Sequence, residues 1–390
     1  MYRFILKISD ENIIGCVVNE LNKKIATNTI DLNGFSNGNI SDFYKFQKCI
    51  YDLVKNLEHN IKVKLKDTVI LLPSEQIQIT YFSTKIKMKS AFSKEHMQKM
   101  IHQLYKICEK NELYLIKYFP CTIKLDNQKL DNPIGMYGKI CEITWSTFYI
   151  PTNMIKNFNT IFSNLYLKVI DYSIHDYELI DSILDFDEKK LGSTIINIKN
   201  DHTMVFSIKN NIPIQILNIP NGYNNIDHEM AIKLNITISQ AKSLRQKYCS
   251  GILNEDDKNH HIKLYKRTES ENTISQYEIN QKTLPSIKKL ISNLKNQLEN
   301  KVDENNRLFF IGEFAEISSI EVLLKKYFQQ NIYLFNNSNI TNLNMRSIQS
   351  YINKTQTQKK NPNHSYKFYH YILLGLKKIY DMIKKWLMEK

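Results

Sequence analysis

Glycine, proline and tryptophan are scarce in this chain, whose 390 residues include 10 glycines, 8 prolines and 2 tryptophans. Glycine usually makes up about 7% of a protein, so glycine-rich loops that wrap phosphate have few places to occur. The sequence has no uninterrupted apolar run of ~18 residues, the length of a spanning helix, and charged residues near the start exclude a signal peptide. We therefore expect the protein in the cytosol unless a further element attaches it to a membrane.

Paired cysteines are also lacking, because the six cysteines lie far apart and none has C-x-x-C spacing. Neither a zinc site nor a redox pair is indicated. Scattered single thiols in a chain of this size favour a reducing compartment.

The charge balance is basic, with 53 Lys and Arg against 39 Asp and Glu and a formal net charge of +14. This excess favours an anionic partner, which could be nucleic acid, acidic lipid or an acidic peptide. The lysines are dispersed, however, and a dispersed excess is more often simply a solvated surface. Because 42% of residues are hydrophobic, the chain can bury a sizeable core.

Short apolar runs at the start predict three strands, which are followed by a helix face and a further strand. After Gly192 a second series of three strand-like runs begins, followed by helices centred on Ala231 and Leu244. Two halves with the same plan predict a duplicated α/β fold.

Residues 82–157 have a different character and predict a small α+β insert in the first half. A helix face is followed by two strands, and a turn-rich loop from Asn132 to Gly138 lies between them. Further along, apolar residues from Ile287 to Leu298 predict one face of a long helix over 279–298.

These features together resemble the FtsA family of bacterial cell division proteins. The loop Asn132-Pro133-Ile134-Gly135-Met136-Tyr137-Gly138 resembles the family's N-P-[IL]-G-M-x-G, and the segment from Ala241 to Tyr248 is similar to its A-E-x-L-K-x-x-Y-G helix. The doubled plan and the basic C-terminal segment complete the resemblance, which runs in order along nearly the whole chain.

The resemblance implies an actin-like (actin/Hsp70 ATPase-type) duplicated α/β fold with an FtsA-type, SHS2-like insert and a C-terminal amphipathic helix. It implies subdomain IA at 1–81 and 158–191, IC at 82–157, IIA at 192–222 and 306–352, IIB at 223–305, a flexible linker at 353–365 and a membrane-targeting helix at 366–390.

The nucleotide loops of such a fold need glycines for close backbone approach to phosphate and carboxylates for Mg²⁺. At the aligned positions most of these residues are replaced, which predicts a pseudo-ATPase with no catalytic residue, no metal and ATP/Mg possible by resemblance only. In the alternative reading, Lys7 and Lys199 neutralise phosphates and retain nucleotide without hydrolysis. The aligned positions are Lys7, Ser9, Asp10, Asn197, Lys199, Thr203, Arg245 and Gly312.

The last segment, 366–390, carries apolar residues at spacings of three and four, with lysines on the opposite face. This pattern is typical of a helix lying in a membrane surface, where four lysines could contribute up to ~4 kcal/mol on anionic lipid. A helix that docks on its own body or on a partner is the alternative. The predicted membrane-binding residues are Ile372, Leu373, Leu376, Lys377, Lys378, Ile379, Ile383, Lys384, Lys385, Trp386 and Leu387.

The resemblance also implies partners. These are the acidic C-terminal tail of the tubulin-like protein FtsZ, further copies of the chain in protofilaments, anionic inner-membrane lipids, and other division proteins at subdomain IC. The candidate FtsZ contacts are lysines of helix 279–298 and its start, although Thr283 stands where the family usually has an arginine. Those candidates are Lys282, Lys288, Lys289 and Lys295.

The predicted function is that of a peripheral scaffold that tethers FtsZ filaments to the cytoplasmic face of the bacterial inner membrane at midcell. Two other functions stay open: a nucleotide-binding actin-like ATPase, and a pilus-assembly relative of FtsA. Residues 366–390 argue against the pilus reading, because such relatives lack a C-terminal membrane helix. Nucleic-acid binding is not expected, because no basic-aromatic module is recognisable.

Overall fold

The computed structural model describes residues 2–9, 11–265, 271–299, 301–335 and 340–360. These residues form two compact units. The first unit holds residues 2–73, 81–179 and 346–360, and the second holds 74–80 and 180–345, apart from the gaps in the described ranges.

The elements of the first unit follow the predicted order of strands, helix and insert. They are β1 (Arg3–Ile8), β2 (Asn12–Val18), β3 (Lys24–Asp31), β4 (Phe35–Ser36), β5 (Asn39–Ile40), α1 (Phe43–Ile61), β6 (Asp67–Leu72), β7 (Gln78–Lys87), α2 (Lys94–Lys110), β8 (Leu113–Leu125), β9 (Gln128–Leu130), β10 (Ile140–Pro151), α3 (Thr152–Asn164), β11 (Lys168–Ile174) and α4 (His175–Ile183).

The elements of the second unit repeat the opening plan. They are α5 (Phe186–Leu191), β12 (Ser193–Ile198), β13 (Thr203–Lys209), β14 (Ile212–Ile219), α6 (Tyr223–Leu234), α7 (Ile238–Tyr248), β15 (His261–Tyr265), β16 (Glu271–Ser275), α8 (Gln276–Leu298), β17 (Arg307–Ile311), α9 (Ile320–Tyr327) and β18 (Ile332–Phe335), followed by α10 (Ile340–Lys360).

Each unit contains a five-stranded sheet with the same topology. The strand orders are β11-β6-β1-β2-β3 and β14-β13-β12-β17-β18. In both sheets three antiparallel strands come first, and the next two lie parallel to the first strand. Strands β1 and β12 read as near-continuous apolar runs because they are central and covered on both faces. The predicted duplicated α/β fold is therefore confirmed.

The insert in the first unit is a separate four-stranded sheet in the order β7-β10-β8-β9. It has its own core, in which Trp145 is fully buried and donates a hydrogen bond to Thr84 Oγ1 at 2.8 Å. Its sheet begins at Gln78 and ends at Pro151, so both ends lie several residues before the predicted 82–157. Helix α3 belongs to the layer of the first sheet, because Phe158 packs against the rings of Phe35 and Phe46.

Helix α8 confirms the helix predicted over 279–298 and begins three residues earlier, at Gln276. Ser275 caps its start by accepting from Glu278 N, and the Glu278 side chain accepts in return from Ser275 N. The predicted face from Ile287 to Leu298 is buried in the core of the second unit.

Helix α10 corrects the prediction of a flexible linker at 353–365. The helix continues through Lys360, so residues 353–360 are helical, and residues 361–365 lie outside the described residues. From Arg346 onward this helix groups with the first unit, whereas the prediction placed residues through 352 in the second half. The reason is tertiary: Tyr351 is buried and donates a hydrogen bond to Asp171 Oδ2 at 2.6 Å, and Lys354 lies 2.7 Å from Glu178 Oε2.

The predicted membrane helix at 366–390, with all its candidate residues from Ile372 to Leu387, lies outside the described residues. Within the described part of the chain, none of the helices combines the length and the apolar character needed to span a bilayer.

Candidate functional site

The first predicted nucleotide loop is a tight hairpin between β1 and β2, closed by a hydrogen bond from Ser9 N to Asn12 O at 3.0 Å. Asp10 at its tip lies outside the described residues. Lys7 is not part of the loop, because it is fully buried in β1 between Ile14 of β2 and Leu71 of β6. Among the described residues, the buried Ser9 Oγ and Asn12 Oδ1 have no hydrogen-bond partner, so this hairpin retains some capacity to bind a polar group.

The second predicted loop joins β12 to β13, and Lys199 N donates to His202 O at 2.9 Å to close it. The Lys199 ammonium lies 3.2 Å from Glu75 Oε1, and His202 Nε2 lies 3.1 Å from the same oxygen. Glu75 comes from the segment 74–80, which is part of the second unit. The positive charge that could have met a phosphate therefore faces a carboxylate of the protein itself.

The start of α6 closes the same loop from the other side. Tyr223 N donates to Lys199 O at 2.9 Å, and Asn224 N donates to Asn200 O at 2.8 Å. The N–H groups at a helix start are a ready anion site, but here loop carbonyls occupy two of them. The approach requires glycine at the preceding position, because a Cβ on Gly222 would lie 2.4 Å from both carbonyl oxygens.

Thr203 directly follows the loop and donates through Oγ1 to Asn221 O at 2.6 Å. It thus anchors the turn that leads into α6 instead of presenting its hydroxyl to a ligand.

Arg245, predicted at the adenosine position of α7, forms a buried cluster within the second unit. Its Nε donates to Asp227 Oδ1 at 2.8 Å, and its Nη1 donates to Glu313 Oε2 at 3.2 Å. The guanidinium carbon lies 3.9 Å from the centre of the Tyr223 ring, a cation–π contact. Arg245, Asp227 and Tyr223 are all at most 2% exposed.

The charges in this cluster affect each other. Burial raises the pKa of Asp227, although the hydrogen bond from Arg245 opposes that shift. Burial also raises the pKa of Tyr223 well above its ordinary value, which keeps the phenol neutral. The guanidinium is always charged, and the carboxylate of Asp227 compensates its charge while the neutral phenol ring packs against it. The buried charge of Arg245 is therefore balanced by groups of the protein itself.

Gly312, the one aligned glycine that is retained, has a local backbone role. Its φ is +79°, in the region that favours glycine, and a Cβ there would lie 2.8 Å from Asn197 Oδ1. Asn197 and Ile311 are paired across β12 and β17, which brings the Asn197 amide against the turn. The glycine is therefore explained by packing against Asn197.

The predicted partner lysines of α8 all lie on its exposed side: Lys282, Lys288, Lys289 and Lys295. Lys289 is 3.7 Å from Glu229 Oε1 of α6. Thr283 lies on the opposite, buried side and donates to Ile279 O at 2.8 Å. The position where the resembled family has an arginine is therefore part of the core here.

No cluster of three or more His, Cys, Asp or Glu side chains that could hold a metal occurs among the residues the structure describes. The carboxylates at the second loop and in α6, Glu75 and Asp227, each face a cation of the protein.

No protein-family model matches the chain. Among solved structures, MreB5 of Spiroplasma citri bound to ADP aligns with a TM-score of 0.56 and 13% identity over 93% of this chain and 99% of that chain. A chain of the PilM–PilN type IV pilus biogenesis complex aligns with a TM-score of 0.55 and 11% identity over 86% of this chain and 88% of that chain.

This chain has the actin-like fold. In sequence it is similar to the cell division protein FtsA of Helicobacter pylori, with 22% identity over 138 residues in strain 26695 and the same value in strain J99. That match covers 35% of this chain and 28% of the length of FtsA. A limited sequence similarity to a division protein thus accompanies a fold shared with MreB5 and with the chain of the pilus biogenesis complex.

Proposed function

We propose that this protein is an actin-like scaffold of bacterial cell division, which tethers FtsZ filaments to the inner membrane as FtsA is expected to do. The observation that carries the proposal is the sequence similarity to FtsA, which adds to the likeness of the loop 132–138 that lies in the insert. In the structure this loop is tied to Phe92 by two backbone hydrogen bonds, and Tyr137 is 84% exposed. An exposed, well-anchored loop suits a contact with other division proteins or with another copy in a protofilament.

The membrane part of the proposal rests on the amphipathic pattern of residues 366–390. It places the protein at the cytoplasmic face of the inner membrane, at midcell. A fluorescent fusion of the full chain is expected at midcell, and a chain ending at Lys360 is expected to be diffuse. The cut belongs after Lys360 because earlier residues of α10, including Ile348 and Ile352, are buried in the first unit.

A matched pair of full-length variants separates the apolar stripe from charge alone. Ile379→Glu with Ile383→Glu places two carboxylates on the stripe, and Lys378→Gln with Lys385→Gln changes the net charge by the same amount on the polar face. The first variant is expected to lose most of its membrane binding, and the second to bind more weakly but still at midcell. Midcell localisation of the first variant, or of the chain ending at Lys360, would refute the membrane role of the tail.

The partner part of the proposal concerns the exposed lysines of α8. Acidic FtsZ tails would be steered to this face, with more effect on association rate than on affinity. Lys282→Glu with Lys288→Glu is expected to weaken binding of an FtsZ tail peptide at least tenfold in fluorescence anisotropy. Lys325→Glu with Lys326→Glu on α9, with the same charge change elsewhere in the second unit, serves as the control; an equal loss in both variants would argue against α8.

The proposed scaffold does not hydrolyse ATP. Three contacts support this: the pairing of Lys199 with Glu75, the closure of the second loop by α6, and the buried cluster at Arg245. Together they use groups that a Mg-ATP site would need. We therefore expect no thermal stabilisation by 1 mM Mg-ATP, whereas a micromolar site would stabilise by about 4 kcal/mol. A shift of several degrees would refute the pseudo-ATPase proposal.

A role in pilus assembly is the second candidate, because the pilus-complex chain aligns with this chain as well as MreB5 does. In that case deletion of residues 361–390 would leave localisation unchanged, and a PilN-type partner would bind in place of the FtsZ peptide. A working ATPase is disfavoured by the same contacts at the second loop.

A further inference from the structure

One edge of the first five-stranded sheet collects lysines from three separate parts of the chain. Parallel strands β6 and β11 begin at this edge, β1 begins there too, and antiparallel β2 ends there. The register places Lys168 beside Asp67 and Arg3 beside Asp67, and Lys168 N donates to Lys66 O at 2.7 Å. Neighbouring strands are about 4.8 Å apart, so the five strand ends at this edge span about 19 Å from β11 to β3.

We call this surface the basic edge and define it by the exposed lysines and apolar side chains of the turns that meet there. Its lysines are Lys23, Lys24, Lys64, Lys66 and Lys168. Its apolar side chains are Leu21 in the β2–β3 turn, Val63 between α1 and β6, and Tyr166 between α3 and β11.

The lysines of the basic edge are largely uncompensated. Lys64 lies 2.6 Å from Glu58, whereas Lys23, Lys66 and Lys168 form no ion pair with any residue that the structure describes. The carboxylates at the edge, Glu20, Glu58 and Asp67, are outnumbered by the five lysines. Beside it, the end of α1 adds Lys55, His59 and Lys62, together with Glu58, around an open groove of about 270 Å³.

The apolar side chains of the basic edge protrude from turns. Leu21 is 79% exposed and Tyr166 is 93% exposed, and the chain turns through positive φ at Asn22 and at Tyr166 itself. A protein or peptide partner would have to bring its own pockets for these protruding side chains. A lipid headgroup layer accommodates a protruding leucine and tyrosine without a pocket, and lysines around them attract an anionic leaflet.

We propose that the basic edge is a second membrane-binding surface, located on the folded body, that binds anionic phospholipid headgroups while Leu21 and Tyr166 enter the interfacial layer. This proposal shares with the proposed function only the premise that the protein works at a membrane. The surface is made of described residues of one unit and does not depend on the tail.

The test measures co-sedimentation of the full-length protein with vesicles of phosphatidylcholine, alone or mixed with phosphatidylglycerol. The edge variant combines Lys23→Glu, Lys66→Glu and Lys168→Glu, and the control combines Lys282→Glu, Lys288→Glu and Lys295→Glu on α8, with the same charge change on exposed lysines. Each lysine near an anionic surface contributes about fivefold in binding. The edge variant is therefore expected to lose more than about a hundredfold on the mixed vesicles, and the control less than about fivefold.

A second pair of variants tests the protruding side chains. Leu21→Ser with Tyr166→Ser is expected to weaken binding to the mixed vesicles at least tenfold, whereas Ile134→Ser with Tyr137→Ser on the insert loop changes it by less than twofold. Unchanged thermal unfolding in all variants checks that they fold.

Equal losses in edge and control variants would overturn the proposal, as would an edge variant that binds vesicles normally but loses an acidic peptide, RNA or a second copy of the chain. The tail variant Ile379→Glu with Ile383→Glu separates this proposal from the function proposed above. If the tail variant binds mixed vesicles normally and the edge variant does not, the tail fails and the edge stands. If the edge variant has no effect in either background, the edge fails and the tail stands.

Discussion

Arg245 and Asp227 form a buried ion pair at the predicted adenosine position. If this pair is a structural part of the second unit, then removing one partner must destabilise that unit. Asp227→Ala removes the carboxylate and leaves the guanidinium buried, with Glu313 at 3.2 Å and the Tyr223 ring at 3.9 Å. Breaking a buried ion pair from one side costs about 3–5 kcal/mol. Because Glu313 remains as a partner, we expect the lower end, about 3 kcal/mol.

The assay is urea unfolding followed by circular dichroism, with hydrogen exchange of peptides from α6 and α7 to assign the transition to the second unit. At a slope of about 2 kcal/mol per molar urea, a loss of about 3 kcal/mol lowers the midpoint of that transition by about 1.5 M. Glu313→Gln is the control, since Glu313 is 24% exposed and is expected to cost less than about 1 kcal/mol.

The double variant Arg245→Met with Asp227→Leu distinguishes an uncompensated charge from lost packing. Replacing a whole buried ion pair by apolar residues of similar size is often neutral or stabilising. We therefore expect the double variant to recover most of the stability that Asp227→Ala loses. The reasoning would be refuted by a midpoint for Asp227→Ala within 0.3 M of the wild type, or by a double variant less stable than the single one.

Three further predictions follow from local geometry. Gly312→Ala is expected to lower the free energy of unfolding by about 2 kcal/mol, because the new Cβ combines a positive φ with a close contact to Asn197. Gly135→Ala is the control and is expected to cost about 1 kcal/mol, because its φ is +88° but the space around it is open. Equal losses for the two variants in urea unfolding would contradict the packing explanation. Burial raises the pKa of four thiols to about 11, so at pH 8 only about one such thiol in a thousand is thiolate; these are Cys16, Cys108, Cys141 and Cys249. Ellman's reagent should therefore react first with Cys121, which is only half-buried. A fast phase of the reaction that survives Cys121→Ser would disprove this. The backbone N–H groups of Lys139 and Ile140 hold the pKa of Asp126 below its usual range. The contribution of Asp126 to stability is therefore present above about pH 4 and is lost as pH falls through the lowered pKa. In a Trp386→Phe background, where Trp145 fluorescence reports unfolding, Asp126→Asn should lower the melting temperature at pH 6 but not in strong acid.

Several elements were predictable because they depend on local periodicity. The apolar spacing from Ile287 to Leu298 was sufficient to predict α8. The two series of short apolar runs were sufficient to predict β1–β3 and β12–β14. The two loops that align with nucleotide loops of the resembled family are hairpin turns between the first two strands of each half, and their loss of nucleotide chemistry stays a prediction.

The sequence indicated which residues lie in or beside the two hairpin loops, but not which side chains surround them. Lys7 and Lys199 both read as loop cations, yet Lys7 is inside the sheet and Lys199 faces Glu75, which is 124 positions away in the sequence. Asp227 and Glu75 were missed because nothing in their immediate sequence distinguishes a carboxylate that will meet a buried cation from one that will face solvent.

The polar stretch after Tyr351 shows the same limit. Its composition is typical of a linker, but α10 runs through it because Ile348, Tyr351 and Ile352 anchor the preceding turns in the first unit. The basic edge, likewise, exists only after three distant segments meet at one end of a sheet.

The sequence by itself determined the duplicated α/β plan, the presence of an insert and the absence of glycine from the two hairpin loops, because each depends on residue types at short spacing. The tertiary structure alone decided which charges are neutralised, which lysines share a surface and where the last described helix packs. Those features depend on contacts between residues far apart in the chain, which local patterns do not encode.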